Sequence, residues 1–180
     1  MVTTPQRPGK DSPALATHFT KVYNELSPRV LGYLRSHGVE DPESVTQDVF
    51  LSLYRRFDRI TGGEDAVRTL TFSIAHARMV DHTRARARRP YLVEFEAESD
   101  PRTSASAEEM ATDLMSERGV ASLLERLVED QRDAVLLRIV AGLSLEETAM
   151  VMGKSIGAVK QLQRRALDWL RTSVSGDHHD

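Results

Sequence analysis

Apolar residues recur every three or four positions along most of this chain, which is the spacing of amphipathic helices, and no convincing strand pattern is found. Between residues 13 and 35 this pattern predicts one long helix. Pro28 interrupts the run, so we expect a kink or a short break near Ser27. The apolar positions of this helix are Leu15, Phe19, Val22, Leu26, Val30 and Leu34.

Two more helices are predicted before the proline at position 90. Asp41 followed by Pro42 is an N-cap and first-turn signal for a helix that should end near Phe57. A glycine-bearing loop is expected over 58–65, because adjacent glycines favour turns. The third helix should cover about 66–86.

Helical spacing resumes near residue 113, after an acidic segment rich in Ser, Ala and Thr that is typical of a flexible linker. One helix is predicted from 114 to 127 and another from 129 to 141, with Gly142 as its C-terminal stop. The prediction is therefore an all-α protein with two small helical domains joined by a flexible acidic linker. Its parts are a disordered arm (1–12), a first domain (13–90), the linker (91–112), a second domain (113–173) and a tail (174–180).

Two short helical runs joined at Gly153 lie within residues 144–166. Ala149 before the glycine, with Val159 and Leu162 after it, gives the small and apolar positions that a helix-turn-helix needs to pack its two helices. An ordinary helical hairpin shares this spacing and its capping, so DNA binding is a hypothesis at this point. The candidate caps are Ser144 with Glu147 for the first helix and Ser155 for the second.

A helical wheel at about 100° per residue divides the second of these helices into an apolar face and a polar face. Residues near the start of such a helix reach base edges in the major groove, where Arg and Lys suit guanine and Gln suits adenine. A solvated charged face is the alternative for each residue taken singly. The candidates for base reading are Lys160, Gln161 and Arg164, and those beside them for the phosphate backbone are Lys154 and Arg165. Ser155, the cap of this helix, completes the set predicted to contact this DNA.

Basic residues are concentrated in two stretches, although the chain as a whole is slightly acidic. The formal net charge is −3, from 24 Lys and Arg against 27 Asp and Glu. Five arginines lie within 78–89 and five basic residues within 154–171, while seven acidic residues lie within 91–113. Two basic patches separated by an acidic segment suggest two nucleic-acid contacts joined by a tether.

Composition excludes several classes of protein. The chain has no cysteine, which excludes a disulfide framework, thiolate metal ligands and a cysteine nucleophile. No apolar stretch approaches the roughly 20 residues that span a bilayer, and the N-terminus lacks the apolar core of a signal peptide. We therefore expect a soluble, cytoplasmic protein with no membrane contact of its own. His76 and His82 lie about 240° apart on a helix and cannot converge on a metal, so we expect no metal, no cofactor and no catalysis.

In three blocks the sequence resembles the extracytoplasmic-function (ECF) group of bacterial RNA polymerase sigma factors. Residues 41–50 look like the acidic-Gln-acidic-apolar signature of the second conserved region, and residues 69–90 resemble the helix that follows it. Residues 123–171 are similar to the fourth region along its full length. The family usually has an acidic residue, a tryptophan and an asparagine where this chain has Ser44, Thr69 and Ala77.

The resemblance implies a role for each part of the chain. In the family, the helix with the acidic-Gln signature docks on core RNA polymerase, and here that surface would comprise Gln47, Asp48, Phe50, Leu51 and Tyr54. Burial in the core is an equal alternative for Phe50 and Leu51. The loop over 58–67 and the next helix would open and capture the minus-ten promoter element, and the helix-turn-helix would read the minus-thirty-five element as duplex. The positive charge for single-strand capture would come from Arg78, His82, Arg84, Arg86 and Arg88.

Two DNA-binding modules on a tether suit this task, because holding one of them on polymerase raises the effective concentration of the other. By family habit, the resemblance also implies an inhibitory partner, an anti-sigma factor. The alternative function is a stand-alone helix-turn-helix transcription regulator, which would bind duplex promoter DNA without polymerase.

Overall fold

The computed structural model describes residues 13–88 and 117–176, and this part of the chain is helical without a strand. The all-α prediction is confirmed. The predicted arm and linker lie outside the described residues, and the last helix continues past the predicted start of the tail. The helices are α1 (Pro13–Ser36), α2 (Pro42–Tyr54), α3 (Gly63–Arg88), α4 (Glu117–Glu125), α5 (Glu129–Ile139), α6 (Leu145–Met152) and α7 (Ile156–Gly176), with a short 3₁₀ helix at Phe57–Arg59. We call residues 13–88 the N-terminal module and residues 117–176 the C-terminal module.

Helix α1 runs through Pro28 without interruption, so the break predicted near Ser27 is wrong. A proline inside a helix removes one backbone hydrogen bond. The buried residues of α1 lie on both sides of the proline, from Val22 to Leu34, and their packing on α2 and α3 holds the helix together across it.

Helix α2 begins as predicted and ends earlier than predicted. Asp41 accepts a hydrogen bond from the backbone amide of Ser44 at 3.1 Å, which confirms the N-cap. The helix ends at Tyr54, and Phe57 lies in the 3₁₀ helix, where its ring is 5% exposed. Helix α3 then begins at Gly63, whose φ of 74° is accessible to glycine at little cost.

The core of the N-terminal module is formed where α1, α2 and α3 pack against one another. Large side chains from all three helices are completely buried there. They include Val30, Tyr33 and Leu34 of α1, Val49 and Leu53 of α2, and Phe72 and Met79 of α3.

This core continues into the C-terminal module. Leu136 and Leu137 of α5, together with Ala141 and Leu143 after it, belong to the same cluster of buried apolar residues as the N-terminal helices. Helix α6 lies against α3. The two modules therefore form one packed body, with the helix-turn-helix on one side of α3.

Candidate nucleic-acid and polymerase interface

The helix-turn-helix has the local geometry that its sequence predicts. Ser144 Oγ accepts a hydrogen bond from the Glu147 amide at 3.1 Å, and the Glu147 carboxylate accepts one from the Ser144 amide at 2.6 Å, which completes a capping box. Gly153 ends α6 in the left-handed conformation, with φ 62° and ψ 33°. A residue with a side chain would be strained there, so the glycine permits the sharp turn into α7.

Helix α7 packs through the residues predicted from the helical wheel, with Val159 in a cluster with Ala149 of α6 and Ala166 in a cluster with Val135 of α5. Val159 and Ala166 are completely buried, and Ala149 of α6 is 6% exposed. Ser155 Oγ accepts a hydrogen bond from the Ala158 amide at 3.2 Å and so caps the helix. The helix-turn-helix prediction is confirmed in its caps, its turn and its core.

The opposite face of α7 carries four of the six residues predicted to contact duplex DNA. They are exposed and form no ion pair with any residue that the structure describes. A basic, solvated face at the start of a helix can approach the major groove without first breaking internal contacts. These residues are Lys160, Gln161, Arg164 and Arg165.

Lys154 and Ser155 have partners within the protein. Lys154 Nζ lies 2.9 Å from a carboxylate oxygen of Asp130 on α5, and the hydroxyl of Ser155 accepts the capping bond. A lysine whose charge is already compensated is a weaker phosphate ligand than a free one. Lys154 therefore contributes to the turn, and the predicted phosphate contact would have to replace this ion pair.

Helix α3 presents the second basic surface. Four arginines in its C-terminal half are exposed, and His82 is half-buried. Arg84 and Arg88 share one face because they are four residues apart, and the other two lie towards the opposite side. These two are Arg78 and Arg86.

The surface predicted for polymerase lies on the exposed side of α2. Leu51 is 57% exposed and Tyr54 is 43% exposed, while Gln47 and Asp48 are also exposed. Phe50 is different. It is only 3% exposed, so the hypothesis that its side chain offers a contact surface is wrong and the alternative of core burial is correct.

Phe50 is buried because α1 supplies aromatic partners that the sequence pattern of α2 did not reveal. Its ring lies edge-on to that of Tyr23, with centroids 4.8 Å apart, and at 6.4 Å from that of Phe19. Tyr23 is itself 39% exposed. It extends the apolar part of the α2 surface onto α1.

A buried polar cluster joins the two modules. Tyr33 Oη donates to Asp133 of α5 at 2.8 Å, and His37 Nε2 lies 2.7 Å from the same carboxylate oxygen. His76 of α3 lies 2.9 Å from Tyr33 Oη through Nδ1. In the sequence His76 was considered only as a metal ligand, and the other three residues were not candidates, because the partners of Asp133 are distant in the chain and carry no local pattern.

Burial controls the ionisation of two members of this cluster. It raises the pKa of Tyr33 well above its usual value, and the nearby Asp133 carboxylate acts in the same direction. Burial lowers the pKa of His76, although Asp133 opposes that change. The His37 ring adds to the lowering, whereas Glu129 and Asp130 oppose it from α5. Both side chains are therefore neutral at neutral pH.

A second contact between the modules involves the capping box. Thr69 of α3 donates to Glu147 at 2.7 Å, and Arg68 donates to the carbonyl of Gly142 at 3.3 Å. Burial alone would raise the pKa of Glu147, but hydrogen bonds from the Ser144 amide and from Thr69 outweigh it and hold that pKa below its usual value. The start of the helix-turn-helix is thus fixed on α3.

Two further features are absent from the described residues. No group of three His, Asp or Glu side chains among them could hold a metal ion. Within 13–88 and 117–176, none of the helices has the length and apolar character needed to cross a bilayer.

Each of the two modules matches a known protein family. Residues 22–89 match the family described as sigma-70 region 2, and residues 123–172 match sigma-70 region 4. The fold and its surfaces thus define a sigma-70-type subunit of RNA polymerase, with the N-terminal module as region 2 and the C-terminal module as region 4.

Two relatives identify the group within that class. The chain is 34% identical over 169 residues to the ECF RNA polymerase sigma factor SigD of Mycobacterium tuberculosis, and the match covers 88% of this chain and 78% of SigD. It is 32% identical over 165 residues to the ECF RNA polymerase sigma factor BldN of Streptomyces coelicolor, where the match covers 90% of this chain and 62% of BldN. The chain belongs to the ECF group of RNA polymerase sigma factors, and it is a non-catalytic subunit that directs promoter-specific transcription initiation.

A solved structure has the same fold. The sigma factor RpoE in its complex with the anti-sigma factor NepR of Bartonella quintana matches with a TM-score of 0.66, over 91% of this chain and 99% of RpoE. The identity is 19%, so this likeness concerns the fold.

Proposed function

We propose that each module of this sigma factor contacts one promoter element while α2 holds the chain on core polymerase. The exposed basic face of α7 supports this proposal best. Lys160, Gln161 and Arg164 lie at the start of the second helix of a helix-turn-helix, where side chains reach base edges. In this proposal they read the minus-thirty-five element, and Arg165 holds a phosphate.

The minus-ten element would be captured by α3 and the loop before it. Single-stranded DNA needs positive charge along its backbone, and the exposed Arg78, Arg84, Arg86 and Arg88 supply it. His82 is half-buried, so it would contribute one edge of its ring at most. The pocket for an extruded base would lie near Gly62 and Gly63, where the backbone is exposed.

Core polymerase would bind the outer face of α2. Leu51 and Tyr54 offer exposed apolar area, and Gln47 and Asp48 offer polar contacts beside it. Such a mixture of an apolar centre and a polar rim is typical of protein interfaces. Tyr23 extends this surface from α1.

An anti-sigma factor is part of the proposal, and the cytoplasm is the expected compartment because polymerase acts there. The sigma factor RpoE is seen with such a partner. A candidate inhibitor that binds this chain should abolish transcription by its holoenzyme in a stoichiometric titration.

The decisive experiment is reconstitution of the purified chain with core polymerase, followed by run-off transcription on genomic fragments. We expect one set of promoters to be transcribed only when the chain is present. Arg164→Ala should change which promoters are used, whereas Arg171→Ala should not, because Arg171 already pairs with Asp168 at 2.9 Å.

The same preparation distinguishes the alternative function. A stand-alone regulator would shift promoter duplex in a gel without polymerase and would not co-purify with core polymerase. Strong duplex binding by the chain alone, with no association at low salt, would overturn the proposal.

A further inference from the structure

Asp133 is a buried carboxylate whose described partners all belong to the other module. It is 3% exposed, and Oδ1 lies 2.8 Å from Tyr33 Oη and 2.7 Å from His37 Nε2. Oδ2 lies 3.7 Å from His76 Nδ1. Burying a carboxylate without such partners is costly. The cluster is therefore stable only while the two modules are packed together.

The hydrogens of the cluster can be assigned from its geometry. The single hydroxyl proton of Tyr33 is directed to Asp133, so His76 Nδ1 donates to Tyr33 Oη at 2.9 Å. His37 Nδ1 donates to the carbonyl of Tyr33 at 2.8 Å. The His37 ring is thus held at the end of α1 through Nδ1 while its Nε2 faces Asp133, and the cluster joins α5 to α1 and α3.

The packed arrangement keeps the two DNA-binding surfaces close together. A cleft of about 330 Å³ is lined on one side by α3, including Arg84, and on the other by Lys154 at the turn before α7. Lys160 is four residues after Ile156, the first residue of α7, or about 6 Å along the helix at 1.5 Å per residue. In the packed form the two surfaces therefore begin on neighbouring sides of one cleft.

A promoter needs a much larger separation. By their names, the two elements lie about 25 base pairs apart, which is about 85 Å of duplex at 3.4 Å per base pair. The packed form cannot place α3 and α7 on both elements at once. The 28 residues from 89 to 116 could span about 95 Å when extended, so the chain can reach both elements once the modules separate.

We propose that Asp133, with Tyr33, His37 and His76, forms a latch that keeps the free sigma factor closed and must open before the chain engages a promoter. The effect of the latch at the promoter rests on the proposed function. The closure of the free chain by the latch does not depend on that function. In the closed form, α6 also covers part of α3, where Thr69 bonds to Glu147. Closure therefore covers the part of α3 that follows the glycine-bearing loop, while the arginines of its C-terminal half stay exposed.

The latch can be tested by a distance measurement on the full chain. The natural sequence has no cysteine, so Asn24→Cys and Thr172→Cys can be spin-labelled without background, and both positions are exposed. Electron spin resonance should show a narrow distance distribution for the parent protein. Asp133→Asn should add a broad, longer component and raise the ratio of open to closed molecules about tenfold, the effect expected for weakening one charge-assisted network.

Glu146→Gln is the matched control. Glu146 lies on α6, is exposed and acts on neither Tyr33 nor His76, so its loss should leave the distribution unchanged. If Asp133→Asn loses helical circular dichroism, Tyr33→Phe removes one hydroxyl from the other side of the latch and serves instead. A broad distribution in the parent protein would overturn the latch, and so would a folded Asp133→Asn or Tyr33→Phe variant with the parental distances.

Binding of a fluorescent minus-ten single strand to the same variants separates the latch from the proposed function. If Asp133→Asn opens the modules and binds DNA about tenfold more tightly, both proposals are supported. If the modules open and neither the parent protein nor Asp133→Asn binds the strand, the latch is supported, and the minus-ten role of α3 fails.

Discussion

Phe50 and Leu51 are adjacent apolar residues on α2, and the structure predicts opposite consequences for their loss. Phe50 is 3% exposed, whereas Leu51 is 57% exposed. We therefore expect Phe50→Ala to affect stability and Leu51→Ala to affect binding to core polymerase. The pair is its own control, because the two changes lie on the same turn of the same helix.

The cost of Phe50→Ala follows from its surroundings. Truncation of a buried phenylalanine to alanine destabilises a protein by about 3–5 kcal/mol, and the edge-on contacts with Tyr23 and Phe19 would be lost as well. For a chain of this size each kcal/mol lowers the melting temperature by about 2–4 °C. We expect a decrease of about 10 °C, measured by circular dichroism, and Phe50→Leu should recover most of it.

For Leu51 the affected quantity is the affinity for core polymerase. Burial of a complete leucine side chain contributes about 1.5–3 kcal/mol, and the exposed fraction of 57% is what a partner can still cover. Leu51→Ala should therefore weaken binding by about 1–1.5 kcal/mol, or five- to tenfold in Kd. The measurement is a fluorescence titration with core polymerase, well below the melting temperature.

The reasoning fails if the two variants behave alike. An equal loss of melting temperature would mean that Leu51 packs in the core, contrary to its exposure. A Phe50→Ala protein with the parental melting temperature would refute the aromatic packing between α1 and α2. Unchanged polymerase affinity for Leu51→Ala would remove α2 from the proposed polymerase surface.

Three further predictions concern the caps, the DNA contacts and pH. Ser144→Ala should destabilise the protein by about 1 kcal/mol, seen as a lower urea midpoint, because the Glu147 amide loses its acceptor; an unchanged midpoint would contradict the cap. Arg165→Ala should weaken DNA binding at all promoters and lower the slope of log affinity against log salt concentration by about one. Arg164→Ala should instead change the base preference. Equal losses of affinity at every sequence for both variants would refute the assigned roles. Burial lowers the pKa of His76 in the folded protein from its usual 6.5. The contribution of neutral His76 to stability is therefore complete above pH 6.5, and it is lost as the pH falls through the lower pKa of the folded state. Thermal unfolding between pH 7 and pH 5 should show this loss, and His76→Gln should reduce it.

The sequence predicts those features that depend on residues a few positions apart. The Asp41 cap and the helix-turn-helix at Gly153 are local, since each bond joins residues within one or two turns. Periodicity also identifies the apolar face of α7. The sequence could not decide between Phe50 and Leu51, because both are apolar and the aromatic partners of Phe50 lie on another helix.

The contacts between the modules were beyond prediction for the same reason. Tyr33 and Asp133 are 100 residues apart in the chain, and neither belongs to a recognisable motif. Lys154 was likewise predicted as a phosphate ligand because nothing near it in sequence shows that Asp130 lies 2.9 Å away. A basic side chain indicates a binding surface only where the packed protein leaves it without an acidic partner.

Thr69 shows how divergence in one module can constrain the other. It is 9% exposed, and its hydroxyl reaches the glutamate that caps α6. The tryptophan that the family usually has at this position is far larger, and its indole would occupy the space into which the first turn of α6 descends. Thr69→Trp should therefore be tolerated only if α6 shifts, so the effects of substitutions at Thr69 and at Glu147 are expected to depend on each other.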